Sequence, residues 1–504
     1  GGERDHVVLA WAGRTGRSPM RLLNVPYRIS KDGGGPRSRS GRFGRRLEEV
    51  LATRPVLASL DSSLSEMLMR LRLRGRGIER FQGVDHHLAH CAGAGAMLDG
   101  DGLVVSMDAY GDGLSARWCL RTDTSLTPVG SLACDSSPAL LYGMVGSLLG
   151  YQEGEEGKVT ALAARGNPEP GRAPLRALLG NRPPMTPDLA TAKEFEILSK
   201  LAPEDVAAAL QERLEEVVVP FISSLVERHS VKQLALAGGL FANVALNRRL
   251  TEALAPLKIV VFPAMGDEGL SLGAAVKVYL DHERRWPRMP KLPLLGTQLV
   301  TPGSDELSAL GIGQGNFQIH KANTKKIAEL LSEGRTVALA RGKDEFGPRA
   351  LGNRSLLFSC RDPMLASGVQ EQLGRDPVMP FCPICREDEL RNCFEPPFPS
   401  ETADGGLGLM TFAVTARPEQ TRQMPVAVHD DGTSRVQVVS REERPFLYRI
   451  LEDYESLTGN RLLINTSLNL HGEPIVHSVK DAVRTFNAGG FDAICLGDVL
   501  VTRS

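Results

Sequence analysis

Two histidines, His86 and His90, stand four residues apart in the run GVDHHLAHCAGAGAMLDG at 83–100. The run is rich in Ala and Leu, which favour helix. On a helix, residues i and i+4 share a face, and two imidazoles on one face can hold one metal ion; imidazole suits zinc, iron, copper or nickel. The metalloprotease signature has this spacing but needs a Glu after the first His, where this chain has His87. Alone, the pair fits a capped surface helix as well as a metal site. Two acidic turns sharpen the choice. Leu103–Met107 reads as an apolar strand running into DAYGDG at 108–113, and Ile259–Phe262 as another running into Pro263 and then Gly266-Asp267-Glu268-Gly269. Acidic residues and glycines after a strand suit a turn that meets a phosphate or a metal, although Asp-Gly equally favours a hairpin. If the turns bearing Asp108 and Asp267 both meet the His86 helix, two imidazoles and one or two carboxylates form an oxygen–nitrogen site for iron or zinc.

A second set of residues suits anions. Lys158 opens a small-residue helix over Val159–Arg165 beside Gly154 and Gly157, where it could reach a phosphate or serve as a plain cap. The strand Gln233–Ala237 runs into Gly238-Gly239 and then a helix with Asn243 and Asn247, a nucleotide-approach pattern without the full dinucleotide fingerprint. Further on, DEFGPRALGNRS at 344–355 follows the strand Thr336–Ala340, and its Arg349 and Arg354 can offer planar forks to phosphate or carboxylate. Thr433-Ser434-Arg435 and Asn465-Thr466-Ser467-Leu468-Asn469 add donors at strand ends. Together they suggest an anion pocket, although any one alone reads as surface Arg with capping Ser and Asn. Cys382 and Cys385 have zinc-knuckle spacing with Cys393 nearby, but a structural zinc site wants four ligands and no second pair is evident.

These residues sit on alternating strands and helices. A 504-residue chain with 42% hydrophobic and 24% charged residues predicts two to four domains with large cores. The net charge of −1 gives no support to nucleic-acid binding, and no apolar run is long enough for a membrane span. Eight cysteines in this length are not a disulfide scaffold, and with no signal-peptide pattern a cytoplasmic setting is expected. Val7–Trp11 reads as a strand, Lys31–Arg46 as a loop, Arg46–Arg74 as helical, Ser115–Leu120 as a strand and Glu204–His229 as a long amphipathic helix. Prolines 287, 290, 293 and 302 mark a linker over 286–302 between domains at 1–285 and 303–504.

With these residues assembled, the chain resembles the O-carbamoyltransferases of antibiotic and nodulation-factor biosynthesis. DHHLAH at 85–90, GGLFANVALN at 238–247, FPAMGDEGLSLGAA at 262–275, EFGPRALGNRS at 345–355 and INTSLNLHGEPIV at 464–476 carry the match, in the family's order. The resemblance implies an actin/sugar-kinase-like (ASKHA) first domain similar to TsaD, the tRNA threonylcarbamoylation ATPase. It implies a YrdC-like α/β second domain that makes carbamoyl-adenylate from carbamoyl phosphate and ATP, with Mg accompanying the nucleotide. The first domain would then pass the carbamoyl group to a hydroxyl of a small-molecule natural product, using iron or another divalent transition metal. By that likeness His86, His90, Asp108 and Asp267 would be metal ligands. Lys158, Gly239, Asn243 and Asn247 would hold nucleotide, and Arg349, Arg435, Asn465, Thr466 and Ser467 carbamoyl phosphate and ATP. The acceptor and the oligomeric state are not legible.

Two departures stand out. The family opens with a strand and a turn like N-x-x-H-x-x-S-A, whose His is expected to act as base on the acceptor hydroxyl. Here His6 precedes the first strand, and Asp5–Arg14 resembles a strand from further into the family's first domain, so the expectation is a chain lacking those opening strands. In the second domain the family pattern K-x-R-E-x-x-R-P-F-A-P reads Leu373-Gly374-Arg375-Asp376-Pro377-Val378-Met379-Pro380-Phe381-Cys382-Pro383. Two cations have become Leu373 and Met379, a loss of roughly a few kcal/mol of phosphate binding if both were buried contacts. A non-catalytic homologue that binds nucleotide or a partner is therefore one alternative. A tRNA threonylcarbamoylation enzyme is another, disfavoured by the domain order, EFGPRALGNRS and the absence of net positive charge.

Overall fold

The protein is described from a computed structural model over residues 9–11, 67, 81–134, 137–179, 192–312, 317–396 and 406–503. The readings of a loop at 31–46 and a helix at 46–74 lie outside the described residues, Met67 apart. So does the reading about the family's opening strands. Among the described residues the first strands are a parallel pair, β1 (Leu9–Trp11) against β2 (Phe81–Gly83).

The chain divides into two compact mixed α/β units. The first takes in the chain up to Glu156, Asn167–Ala242 and Leu257–Met289. Its sheet joins β3 (Gly102–Gly111), β4 (Leu114–Thr122), β5 (Ser125–Ala133), β6 (Gln233–Ala237) and β7 (Lys258–Val261) in the order β5-β4-β3-β6-β7. The strands β3, β4 and β5 are antiparallel, while β6 and β7 add in parallel beyond β3. Leu103–Met107 is buried throughout, as a central strand covered on both faces requires. Asp112 and Gly113 turn β3 into β4 with φ of 50° and 81°, the left-handed pair that a two-residue hairpin favours. The His86–Gly95 helix begins at Asp85, whose carboxylate accepts the Leu88 N–H. It crosses the Leu270–Glu283 helix closely, because Gly273 lies where any Cβ would strike the Ala89 carbonyl.

The second unit comprises Gly157–Gly166, Asn243–Pro256 and Pro290–Ser504. Gln298–Leu299 (β8), inside the proline-punctuated stretch, pairs with Gly342–Lys343 (β11). An eight-stranded sheet contains β9 (Phe317–Lys321), β10 (Val337–Ala340), β12 (Arg354–Ser359) and β13 (Cys382–Arg386), together with β17 (Gln437–Val439), β18 (Leu463–Ser467), β19 (Ala493–Leu496) and β20 (Val499–Arg503). Their order is β17-β13-β18-β12-β10-β19-β20-β9. A small sheet of β14 (Phe394–Glu395), β15 (Val414–Ala416) and β16 (Thr433–Ser434) stands apart. The Thr324–Ser332 and Pro445–Thr458 helices pack Ile327, Leu331, Leu447 and Leu451 against Leu339, Leu357, Ile384 and Leu463 of the large sheet. Among the described residues, no helix is long and apolar enough to cross a membrane.

Candidate functional site

In the first unit, His86, His90, Asp108 and Asp267 converge, each offering one ligand atom, with all four atoms within 4.8 Å of one another. His86 and His90 stack one turn apart on their helix, with ring centroids 4.8 Å apart. Asp108 does not end its strand as the sequence suggested. β3 runs on to Gly111, and Asp108 sits where the β3–β4 register shifts, between Met107 and Gly111. Such an irregularity re-aims a side chain out of the ladder. Asp267 begins the short 3-10 turn Asp267–Gly269 after β7. Asp112, in the hairpin turn, accepts the backbone N–H of His86 at 2.7 Å and ties that turn to the helix start.

The separations fit an ion. His90 Nε2 stands 3.4 Å from Asp108 Oδ2 and 3.8 Å from Asp267 Oδ1, and His86 Nε2 is 3.7 Å from each of the same oxygens. Donors about 2.1 Å from a tetrahedrally held ion stand about 3.4 Å apart. Without an ion His90 and the carboxylates stabilise one another's charged forms. Burial alone would raise the Asp108 carboxyl, but His86 and His90 hold it well below the usual range. Burial likewise opposes charge on His90, and the two carboxylates overcome it, raising the imidazole to about 9. His87 faces away from this group. Its Nε2 lies 3.1 Å from the Leu114 carbonyl, which only accepts, so Nε2 carries the proton and Nδ1 accepts from Ser106 Oγ at 2.9 Å. Burial and the neighbouring imidazoles keep His87 neutral.

A second site lies wholly in the second unit, around a cavity of about 280 Å³. Lys158, Arg349, Arg435, Asn465, Thr466 and Ser467 all line it. So do Asn469, the last of that run of donors, and Arg375, Asp376, Cys382 and His471, which sequence reasoning did not place in an anion pocket. Arg375 donates to the Ser467 carbonyl at 2.9 Å and hydroxyl at 2.7 Å. Burial lowers its guanidinium to about 10, still cationic at neutral pH. Arg435 donates through Nε and Nη2 to the Cys382 sulfur, at 3.0 and 2.8 Å. Lys158 pairs with Asp376 at 3.4 Å. Four cations around one cavity, with hydroxyl and amide groups between them, suit a phosphorylated ligand.

Of the residues proposed to hold nucleotide, Lys158 lines the cavity. Gly239 is beside Asp108, where an added Cβ would lie 3.1 Å from Oδ1. Asn243 caps the Val244–Leu254 helix by accepting the Leu246 N–H, and Asn247 donates to the Thr411 carbonyl at 2.8 Å. Of the two arginines in 344–355, only Arg349 lines the cavity. Arg354 is fully buried, paired with Asp344 at 2.5 Å and donating to the carbonyls of Arg341 and Gly342. Cys382 and Cys385 are three residues apart on β13, so they face opposite sides of the sheet and cannot share an ion. Met379 lines the cavity, whereas Leu373 is buried at the end of the Pro363–Leu373 helix and does not.

Residues 328–503 match the family described as "Carbamoyltransferase C-terminus", and residues 185–276 match "Carbamoyltransferase N-terminus". The nodulation protein NolO of Bradyrhizobium diazoefficiens is 31% identical, over 83% of this chain and 79% of its own. NolNO of Sinorhizobium fredii is 30% identical, over 91% of this chain and 69% of its own. An uncharacterised protein of Methanocaldococcus jannaschii is 31% identical, over 83% and 73%. Among solved structures, full-length HypF in its phosphate- and nucleotide-bound form overlaps 37% of this chain and 22% of its own, with 17% identity and a TM-score of 0.25, a likeness too slight to bear on the fold.

Proposed function

This chain belongs to the carbamoyltransferase family, and on that premise we propose that it transfers a carbamoyl group from carbamoyl phosphate to a hydroxyl of a small-molecule natural product, through carbamoyl-adenylate. The observation that carries this reading is the four-cation cavity of the second unit, read as the YrdC-like activating domain. There carbamoyl phosphate, ATP and water give carbamoyl-adenylate, phosphate and pyrophosphate. Water cleaves carbamoyl phosphate to carbamate and phosphate, a carbamate oxygen bonds to the α-phosphorus of ATP, and the bond to pyrophosphate breaks. Arg349, Arg375, Arg435 and Lys158 would neutralise the phosphate charge, and Ser467 and Asn469 would fix Arg375 in place.

The first unit, read as actin/sugar-kinase-like, would house transfer. The acceptor oxygen bonds to the carbonyl carbon, AMP leaves, and the hydroxyl proton is lost. His86, His90, Asp108 and Asp267 would hold a divalent metal such as iron, which when bound supplies Lewis acidity toward the carbonyl or the acceptor hydroxyl. Gly239 would keep the approach to Asp108 open, since a side chain there would crowd the carboxylate. ATP–pyrophosphate exchange tests the reading: label should pass from pyrophosphate into ATP only when carbamoyl phosphate is present. A folded, metal-loaded protein that exchanges no label under any condition overturns it.

A further inference from the structure

The cationic cavity is rich in donors, but one of its residues offers the opposite. Asn465 is 1% exposed and lies on β18, opposite Cys382 of β13 in register, so the two side chains share a face. A chain of carbonyls fixes which way its amide points. The Leu351 carbonyl, an acceptor only, takes the Gln437 Nε2–H at 2.8 Å and thereby turns Gln437 Oε1 toward Asn465. Asn465 Nδ2 then donates to that oxygen at 2.6 Å and to the Ala350 carbonyl at 3.0 Å. Both amide hydrogens are spent, and flipping the amide would set Oδ1 against two acceptors. Asn465 Oδ1 is left buried with no donor among the described residues. A fixed, buried acceptor without a donor is costly unless a ligand supplies one.

We propose that Asn465 Oδ1 reads the –NH2 of the carbamoyl group and is the residue that makes this cavity select carbamoyl phosphate over other acyl phosphates; the inference rests on the function proposed above. Arg349, Arg375, Arg435 and Lys158 match the phosphate and carbonyl oxygens, all of which accept. The donor group of the substrate is its amide nitrogen; Asp376 is engaged with Lys158, and Asn469 Oδ1 with the Ser467 hydroxyl at 2.6 Å, whereas Asn465 Oδ1 meets no donor among the described residues. Acetyl phosphate, with a methyl where the nitrogen stands, would leave Oδ1 desolvated and unmet. A site built to hydrogen-bond a group rejects the analogue lacking it far more strongly than an apolar pocket rejects a misfit.

Two hydrolytically stable probes differ only at that atom: phosphonoacetamide, which carries –NH2, and 2-oxopropylphosphonate, which carries –CH3. Calorimetry on the full chain should give at least about tenfold tighter binding of the amide, the ratio expected for one unmet buried acceptor. Asn465→Leu, which removes the acceptor, should collapse the ratio toward one while inorganic phosphate still binds. Equal binding of the two probes to the unaltered protein, with carbamoyl-phosphate-dependent exchange intact, overturns this inference and leaves the proposed function standing. That comparison needs no variant to fold. Failure of both probes and of inorganic phosphate to bind overturns the inference together with the reading of the cavity.

Discussion

The two candidate sites are built in contrasting ways. The His/Asp group draws all four residues from one helix and the ends or irregularities of two strands of one sheet, and its imidazoles and carboxylates face one another. The cavity of the second unit gathers its cations from positions as far apart as Lys158 and Arg435, with Lys158, Arg375 and Arg435 braced by different partners, and its charge is left largely uncancelled. The first arrangement suits a small cation and the second a large anion. Their difference implies separable chemistry: a lesion in one should spare binding at the other.

The largest effect should come from removing one imidazole. His90→Ala takes away a buried imidazole of the group with no neighbour able to replace it, since His87 is held by Ser106 and Leu114. Affinity for a divalent transition metal, followed by cobalt absorption or by metal content after dialysis, should fall more than about 100-fold, beyond the usual cost of losing an outer-shell partner. Phosphate binding in the second unit should stay unchanged, and a parallel loss there would break the separation. The complementary lesion is Arg435→Ala. One charged hydrogen-bonding partner of an anion corresponds to about 10–100-fold in affinity, so carbamoyl phosphate binding should weaken by that factor while cobalt uptake is unaltered.

This contrast also explains what the sequence revealed. His86 and His90 were legible because their spacing is local, and the two acidic turns because each follows an apolar strand. The hairpin at Asp112-Gly113 and the site at Asp108 were read as rival possibilities, yet one strand serves both, because it bulges at the aspartate before it turns. The cavity was only half legible. Arg349, Arg435 and the Asn465–Ser467 run stood out by type, and so did Asn243 and Asn247, of which the first accepts the Leu246 N–H at a helix start and the second donates to the Thr411 carbonyl. Arg375 and Asp376 were visible in the family pattern, and only the fold shows that they, unlike Leu373 two residues earlier, reach the cavity. Cys382, where that pattern has Ala, gains meaning only from the approach of Arg435. Roles fixed by contacts a hundred residues apart leave no local signal.

Intermediate effects should appear in stability. Gly273→Ala drives a methyl into the Ala89 carbonyl, so the His86 helix must shift. Overpacking of this kind costs about 1–3 kcal/mol, which denaturant unfolding should show in the first unit, together with weaker cobalt binding because His86 and His90 move with the helix. Leu373→Lys is its counterpart in the second unit. An ammonium at a position 1% exposed and outside the cavity is cut off from water, so the change should destabilise by about 2–4 kcal/mol and leave phosphate affinity no better.

The smallest effect is the most discriminating about the cavity. Met379 lines it and is only partly buried, in the position where the family pattern carries its second arginine. Met379→Arg adds a cation that solvent partly screens, near three guanidiniums and Lys158 already in place. A screened pair contributes about 0.2–1 kcal/mol, or roughly 1.4–5-fold in affinity. A gain of that size in carbamoyl phosphate binding, fading as salt is raised, is expected if the four remaining cations suffice and the Met is a tolerated loss. A gain of about 100-fold or more would instead mean that the cavity as it stands is crippled for its anion, and it would move the chain toward a homologue that has given up activation while keeping its metal group.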